Sequence, residues 1–495
     1  MRIFFYLISV IIGGCESNIL TGLDKLKLTH FEILQGKNVG LVINHTALDR
    51  DGNHIIELLA RESEIKVVKV FSPEHGYKGT QSAGELVMDN VEPLTGAKIV
   101  SLYGENKKPS SKELKNIDVL VYDIQDIGSR YYTYVSTMAY MMDVAADNDI
   151  SFIVLDRPNP LGRTISGPIL KTEHISFVGM FSIPIRHGMT SGELAKMINS
   201  ENWLPSGKQA DLSVIKVSGW DFLPGYFTVA PSPNIPDFNT ALVYSGMCLL
   251  EGTNISEGRG TDYPFLYFGA PWIDGIELAD ALNNLAFKGV LFETVSFTPT
   301  ISDRSKWPKY ENELCGGCQV IITDSESYKP IYTATQIIYK IAQLYPEKFK
   351  FLKSNFIDKL YGSKKLRFWV ESQNNEINLY DDNENIIKNK KIKKLFIQSN
   401  HINRVNFDFI VISPGINIKE CYLKSFLKKN LKKVVTDLDV FYSHYSKNKN
   451  ITITGTNGKS TTAKILFDVL KNQKRDVRLA GNIGNPILSE KKNYS

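Results

Sequence analysis

The 495-residue chain is predicted to be an α/β protein built on an open, mostly parallel sheet, and three observations predict it. Short apolar runs rich in β-branched residues alternate with helix-like stretches over its leading part. One of these runs, Ile117–Ile124 (IDVLVYDI), is almost continuously apolar, as a parallel strand covered on both faces requires. Polar residues gather directly after such runs, where α/β sheets present their ligand-binding loops.

Taken in order, Lys37–Asn44 reads as a buried strand and His54–Arg61 as an amphipathic helix. Ile65–Phe71 and Lys98–Tyr103 are further strands, Tyr132–Asp147 is a helix, and Ser151–Leu155 is a strand. This alternation implies a Rossmann-like layering over residues 30–235. The dinucleotide fingerprint G-x-G-x-x-G is absent there, so no nicotinamide or flavin cofactor is inferred. A proline-rich junction near Pro231–Asn234 opens a second region, residues 236–367. Helix Asn239–Leu250 leads it, followed by Glu251–Thr261, too rich in glycine and polar groups for a core element. Trp272 suits an aromatic platform or the core equally. Helix Gly275–Leu285, strands Val290–Phe297 and Gln319–Thr323, and helix Ala334–Tyr345 complete a smaller α/β unit.

Length allows two to four domains, because one core seldom grows past roughly 250–300 residues. Apolar content of 43% and charged content of 22% are those of an ordinary globular protein. A net charge of +5 is too small to argue for nucleic acid. Its lysine runs, Lys388–Lys394 and Lys428–Lys433, lie in an asparagine- and isoleucine-enriched stretch that reads as compositional drift.

Met1-Arg2, an apolar run Ile3–Ile12 too short to span a bilayer, and Gly13-Gly14-Cys15 form an export address. They resemble a bacterial lipoprotein signal, residues 1–15, in which Cys15 is lipidated and the chain is anchored in the cell envelope. The plainer alternative is an ordinary signal peptide. Cys315-Gly316-Gly317-Cys318 has the spacing of a redox pair or half a zinc site. No second pair accompanies it, and it is read as a tight turn with two incidental cysteines.

The chemistry gathers at strand ends. Phe71-Ser72-Pro73-Glu74-His75-Gly76 follows the strand at Ile65, and a carboxylate at such a lip can be desolvated enough to hold a proton near neutral pH. The alternative is that Glu74 and His75 are loop residues capping the next element. Asn44-His45, Asp126 with Arg130, Asp156, and Arg186-His187 after Ile183–Ile185 stand at the other strand ends. Together with Glu74, five such loops would converge on one crevice.

These segments together resemble the exo-β-N-acetylmuramidases, glycoside hydrolases of bacterial cell-wall recycling, from about Lys37 to Arg367. The resemblance rests on VGLVINHT, FSPEHG, VYDIQDIGSRYYTYVSTM, VLDRPNP, IPIRHGMTSGEL, PSPNIP and LEGTNISEGRGT, in that order. It implies release of terminal N-acetylmuramic acid from the non-reducing ends of peptidoglycan fragments, in a cleft between a Rossmann-like domain and a smaller α/β domain. Glycoside cleavage needs a proton donor and a second group for the transition state or the attack. Glu74 is the candidate acid, assisted by His75, while Asp126, Glu251 and Glu257 compete for the second role. The residues leave open both the anomeric outcome and assistance by the sugar's own acetamido group. Arg130, Arg186 or Arg259 is expected to read the lactyl carboxylate that separates muramic acid from glucosamine. Asn44, His45, Asp156, His187 and Asn254 complete the expected substrate set, and no metal or cofactor is expected in this part.

Beyond Phe368 the character changes. Glu376–Asp382 and Phe407–Ile412 read as strands, and Ile451–Thr454 runs into Gly455-Thr456-Asn457-Gly458-Lys459-Ser460-Thr461, ahead of helix Ala463–Lys471. Such a loop cradles phosphates with its backbone N–H groups; Lys459 meets the terminal ones and Ser460 or Thr461 suits Mg²⁺. GTNGKST, Ser413-Pro414-Gly415 and Gly481–Gly484 resemble the Mur ligases, closest to the ATP-dependent UDP-N-acetylmuramoyl-L-alanine:D-glutamate ligase. The resemblance implies a partial nucleotide-sugar domain (368–447) and a partial ATP-binding segment (448–495), an inactive fusion. ATP and Mg²⁺ belong to this part alone. A P-loop without the remaining positioning groups does not catalyse phosphoryl transfer. Export would also separate the segment from cytosolic ATP. The alternatives are a muropeptide-binding lipoprotein without catalysis, and a cytoplasmic ligase.

Overall fold

The structure, a computed structural model, describes residues 19–74, 76, 91–102, 104, 107–371, 410–412, 423–436 and 459–473. Cys15, His75, Gly455, Thr456, Asn457, Gly458 and the expected strand Glu376–Asp382 lie outside the described residues. The chain divides into two compact units, residues 1–375 and 376–495.

In the first unit, β1 (Asn38–Ile43), β2 (Lys66–Ser72), β3 (Lys98–Ser101), β4 (Val119–Asp123), β5 (Ser151–Leu155) and β6 (Leu212–Ile215) form one sheet. Its order is β3-β2-β1-β4-β5-β6, and every pairing is parallel. Alternation along the strands divides the core into two layers. Val39, Leu41 and Ile43 of β1 pack with Leu23 and Leu26 of α1 (Gly22–Leu28) and Ile55 and Leu59 of α2 (Ile55–Leu59). Val42, Leu120 and Phe152 face the other way, onto Met138 and Met142 of α4 (Tyr134–Asp147) and Leu194 of α5 (Ser191–Ser200). Because both faces are covered, β4 is buried at every position, which is why its sequence is apolar throughout. The strand order reverses between β1 and β4, so the loops after these strands diverge and leave a crevice above them.

Two readings of the sequence are corrected. Ile183–Ile185 is not a strand; beside it Arg186 bridges both Ser129 and Ser166, outside the sheet. β6 supplies the edge strand instead, its short, half-buried run carrying too little apolar periodicity to stand out. Cys315–Cys318 is not a turn but the start of β9 (Cys315–Ile322), the central strand of an antiparallel sheet between β7 (Tyr267–Ala270) and β8 (Val290–Phe297). Gly317 is needed there because a Cβ would collide with the carbonyl oxygen of Phe268 on β7. The glycines thus serve close strand approach, with both thiols free and buried.

β7 (Tyr267–Ala270) and β8 (Val290–Phe297) flank β9, and α6 (Phe238–Met247), α7 (Gly275–Asn283) and α8 (Pro330–Leu344) accompany this sheet. Pro330 opens α8 at its first turn, where its missing N–H costs nothing. In the second unit, Ile410–Ile412 pairs in parallel with Val434–Thr436. A helix there spans Lys459–Asn472, with Thr461 exposed on its first turn.

Candidate active site

β2 ends at Ser72 and delivers Glu74, half-buried, to the lip of the parallel sheet. The helix α4 begins directly opposite. Thr133, at its N-cap, donates its hydroxyl to Glu74 Oε2 at 3.0 Å. That bond holds the carboxyl group at the edge of the space beyond.

The space is a hollow of about 180 Å³. Glu74, Thr133 and three tyrosines of the run Tyr131–Tyr134 line its side on the parallel-sheet region. Tyr132 and Tyr134 meet edge to face at 4.7 Å, and Tyr244 of α6 meets Phe265 in the same way at 4.7 Å. Such packing gives a rigid aromatic wall. Each phenol is tied down: Tyr131 donates to the Ser245 carbonyl at 2.5 Å, and Tyr132 to that of Pro231 at 3.1 Å. Burial, followed by the nearby Glu74 charge, pushes the Tyr134 phenol above its ordinary range, and burial does the same to Tyr131, Tyr132 and Tyr244. The wall is therefore uncharged at neutral pH.

The opposite side comes from the short 3-10 helix Cys248–Gly252 and the glycine-rich loop after it, which bring Glu251 and Arg259 to the same hollow. Arg259 donates from Nη2 to Glu251 Oε1 at 2.8 Å, and its Nε lies 3.7 Å from Glu257 Oε1. Its guanidinium sits 5.0 Å above the Phe265 ring. Glu257 lies behind Arg259, buried, and takes Lys309 Nζ at 2.9 Å. Burial opposes ionisation of Glu257, but Lys309 and Arg259 outweigh it and hold its carboxyl below the usual range. Burial likewise opposes the charge on Arg259, yet Glu251 and Glu257 raise its pKa. Two acids and two bases thus interlock in one network of ion pairs.

The structure brings Glu74, Glu251 and Arg259 to one hollow, with Glu257 directly behind. Other expected site residues lie elsewhere. Arg130 and Arg186 are corrected: neither lines the hollow. Arg130 clamps the carbonyls of Pro168, Ile183 and Leu360 at 2.8, 2.7 and 2.8 Å, and Arg186 donates to that of Leu161 at 2.9 Å. Burial lowers the pKa of both guanidinium groups to about 10. Asp156 takes Thr190 Oγ1 and Gly192 N at 3.0 and 2.8 Å, which ties down the start of α5. Asn254 exchanges hydrogen bonds with the backbone of Lys348 and Lys350, both at 2.8 Å. Asn44 accepts from Thr46, and His45 Nε2 donates to the Ala230 carbonyl at 2.8 Å. Asp126 accepts from Gly128 N at 2.7 Å and lies 3.5 Å from His187 Nε2, both buried in the lip beneath the crevice. The expected convergence of five loops is thus narrower: most strand-end polar groups fasten the lip, and Glu74 stands out from it. Trp272 belongs to the packing, donating to Tyr310 at 3.3 Å.

The sequence reading missed the aromatic wall and Thr133. The run Tyr131–Tyr134 was visible in the motif, but helix periodicity does not tell which tyrosines point into a cavity.

A carboxyl group on one wall and a charge-paired carboxylate on the other are the two groups that glycoside cleavage requires. Comparison with known proteins gives the family. Residues 39–239 match the family described as exo-β-N-acetylmuramidase NamZ, N-terminal, and residues 242–394 its C-terminal counterpart. The peptidoglycan β-N-acetylmuramidase NamZ of Bacillus subtilis is 43% identical over 378 residues, covering 74% of this chain and 88% of that protein. A crystal structure of a DUF1343 family protein from Bacteroides fragilis superposes with a TM-score of 0.65 at 35% identity, covering 72% of this chain and 94% of that one. A UDP-N-acetylmuramoylalanine–D-glutamate ligase of Rickettsia bellii is 34% identical over 138 residues, 26% of this chain and only 30% of the ligase. Over residues 39–394, then, the chain belongs to the exo-β-N-acetylmuramidase NamZ family.

Proposed function

We propose that this glycoside hydrolase removes terminal N-acetylmuramic acid from the non-reducing ends of peptidoglycan fragments. The observation that carries the reading is that Glu74 and the Glu251–Arg259 pair face one tyrosine-walled hollow. Glu74, oriented by Thr133, protonates the departing glycosidic oxygen. Glu251, held by Arg259 at 2.8 Å, supports the oxocarbenium-like transition state or the attack on it. Asp126 and Glu257 fit this second role less well, because neither lines the hollow. The test is incubation of the full chain with N-acetylmuramyl-β-1,4-N-acetylglucosamine. Saturable binding without sugar release would favour a muropeptide-binding protein instead.

Arg259 is the arginine of the three that faces the hollow, and in this reading it receives the lactyl carboxylate with the donors it does not give to Glu251. Arg259→Lys keeps the charge but loses the planar fork. KM for the muramic substrate should rise about tenfold or more, and the preference over the glucosamine analogue should shrink. An unchanged preference would assign the lactyl group elsewhere.

The chain is further proposed to be anchored in the envelope through lipidated Cys15. Cys15→Ser should abolish incorporation of labelled fatty acid and release the protein from the membrane fraction. For the ligase-like segment, which matches 30% of the ligase relative, we propose that the matched residues on their own carry no ligase activity, since phosphoryl transfer depends on positioning groups beyond a P-loop. ATP-dependent addition of D-glutamate by the full chain would contradict this.

A further inference from the structure

We propose that Trp307 is the stacking platform for the sugar on the leaving side of the scissile bond, and that residues 299–312 form the wall of that subsite. The inference rests on the muramidase reading and deepens it.

The segment joins β8 to β9 and is fastened on one side of Trp307 to a residue lining the hollow and on the other to residues behind its wall. Ahead of Trp307, Asn234, which lines the hollow, donates Nδ2 to the Arg304 carbonyl at 2.8 Å. Ser302 and Ser305 close the intervening turn with reciprocal backbone bonds of 2.9 and 3.1 Å. After it, Lys309 binds Glu257 and the carbonyls of Leu250 and Ile255, each at 2.9 Å. A third fastening lies beneath. Thr300 N donates to the Gly260 carbonyl at 2.9 Å, and a Cβ at Gly260 would meet Pro308 Cβ at 2.8 Å. Gly260 has φ +81°, so the backbone there both turns tightly and lets the segment rest on it. The residues on either side of Trp307 are therefore tied to Asn234, which lines the hollow, and to Gly260, which follows Arg259.

At that place the indole is 73% exposed, more than any other large apolar side chain among the described residues. Its neighbour Pro308 is buried, so the backbone is held while the ring is presented to solvent. Scattered exposed apolar residues are ordinary. An exposed indole whose flanking backbone is pinned to the wall of a hollow is a different case, because the polarised C–H face of a pyranose packs on the negative face of an indole. The partner has to be the leaving-side sugar, N-acetylglucosamine. An exo-acting enzyme holds the terminal residue inside, and the chain it leaves behind passes outward over the rim.

The test measures binding calorimetrically in the full chain carrying Glu74→Gln, with N-acetylmuramic acid and with N-acetylmuramyl-β-1,4-N-acetylglucosamine as the two probes. Adding Trp307→Ala should weaken the disaccharide about tenfold and leave the monosaccharide unchanged, while Trp307→Phe keeps most of the affinity. Equal disaccharide affinity with and without the indole, or equal losses for both probes, overturns the proposal. Release of sugar from methyl β-N-acetylmuramide by the unmutated chain is measured beside it. Its absence would remove the muramidase reading, while the binding comparison still decides Trp307.

Discussion

Glu74→Gln should lower the turnover number for N-acetylmuramyl-β-1,4-N-acetylglucosamine by about 10²–10⁴-fold, the range a positioned general acid supplies. The amide oxygen can still accept from Thr133, which holds Glu74 at 3.0 Å, so geometry survives while the transferable proton is lost. KM should therefore change little, the signature of a group that acts in the transition state rather than in binding. A substrate with a better leaving group needs less protonation, so the same variant should lose less on a nitrophenyl β-N-acetylmuramide. Equal turnover by the variant and the unmutated chain on the disaccharide would remove Glu74 from the mechanism.

Glu257→Gln should cost about 3 kcal/mol of stability at neutral pH, read by urea unfolding. The carboxylate is buried and stands between Lys309 at 2.9 Å and Arg259 at 3.7 Å. Removing its charge leaves two cations facing one remaining acid, Glu251. The figure is set at the low end for a broken buried pair because both cations keep partial contact with water. The pH dependence follows from the direction of its shift. Lys309 and Arg259 hold the folded-state pKa of Glu257 below its unfolded value, so its contribution is complete above the ordinary carboxylate range. It is lost as pH falls through the lowered folded value, and the gap between the variant and the unmutated chain should close on acidification. A gap that persists at low pH would mean that the loss comes from packing rather than charge. Because Arg259 relies on the same acid, the variant should also raise KM.

Much of the fold was legible because strands buried on both faces leave a one-dimensional trace. β1, β4 and β5 appear as short β-branched runs, and β8 was read to the residue at Val290–Phe297. What escaped were elements whose pattern is set by neighbours. β6 is a half-buried edge, and β9 begins with glycines chosen for the approach of β7. At the site, Glu74 could be singled out from its place after a strand. Arg259 could not be told from Arg130 and Arg186. All three are arginines in glycine- or serine-containing loops, and their fates diverge through contacts with residues distant in the chain, such as Leu360 for Arg130.

The layered parallel sheet and the order of its strand-end loops are thus written in the chain, as is the candidacy of Glu74, Glu251 and Arg259 among other polar residues. Periodicity and motif order are local properties, and a chain displays them before it folds. Only the tertiary structure decided which polar groups face the hollow and which fasten its walls. That choice depends on desolvation and pairing: a buried guanidinium that meets carbonyls becomes a clamp, and one that meets Glu251 stays turned to the hollow.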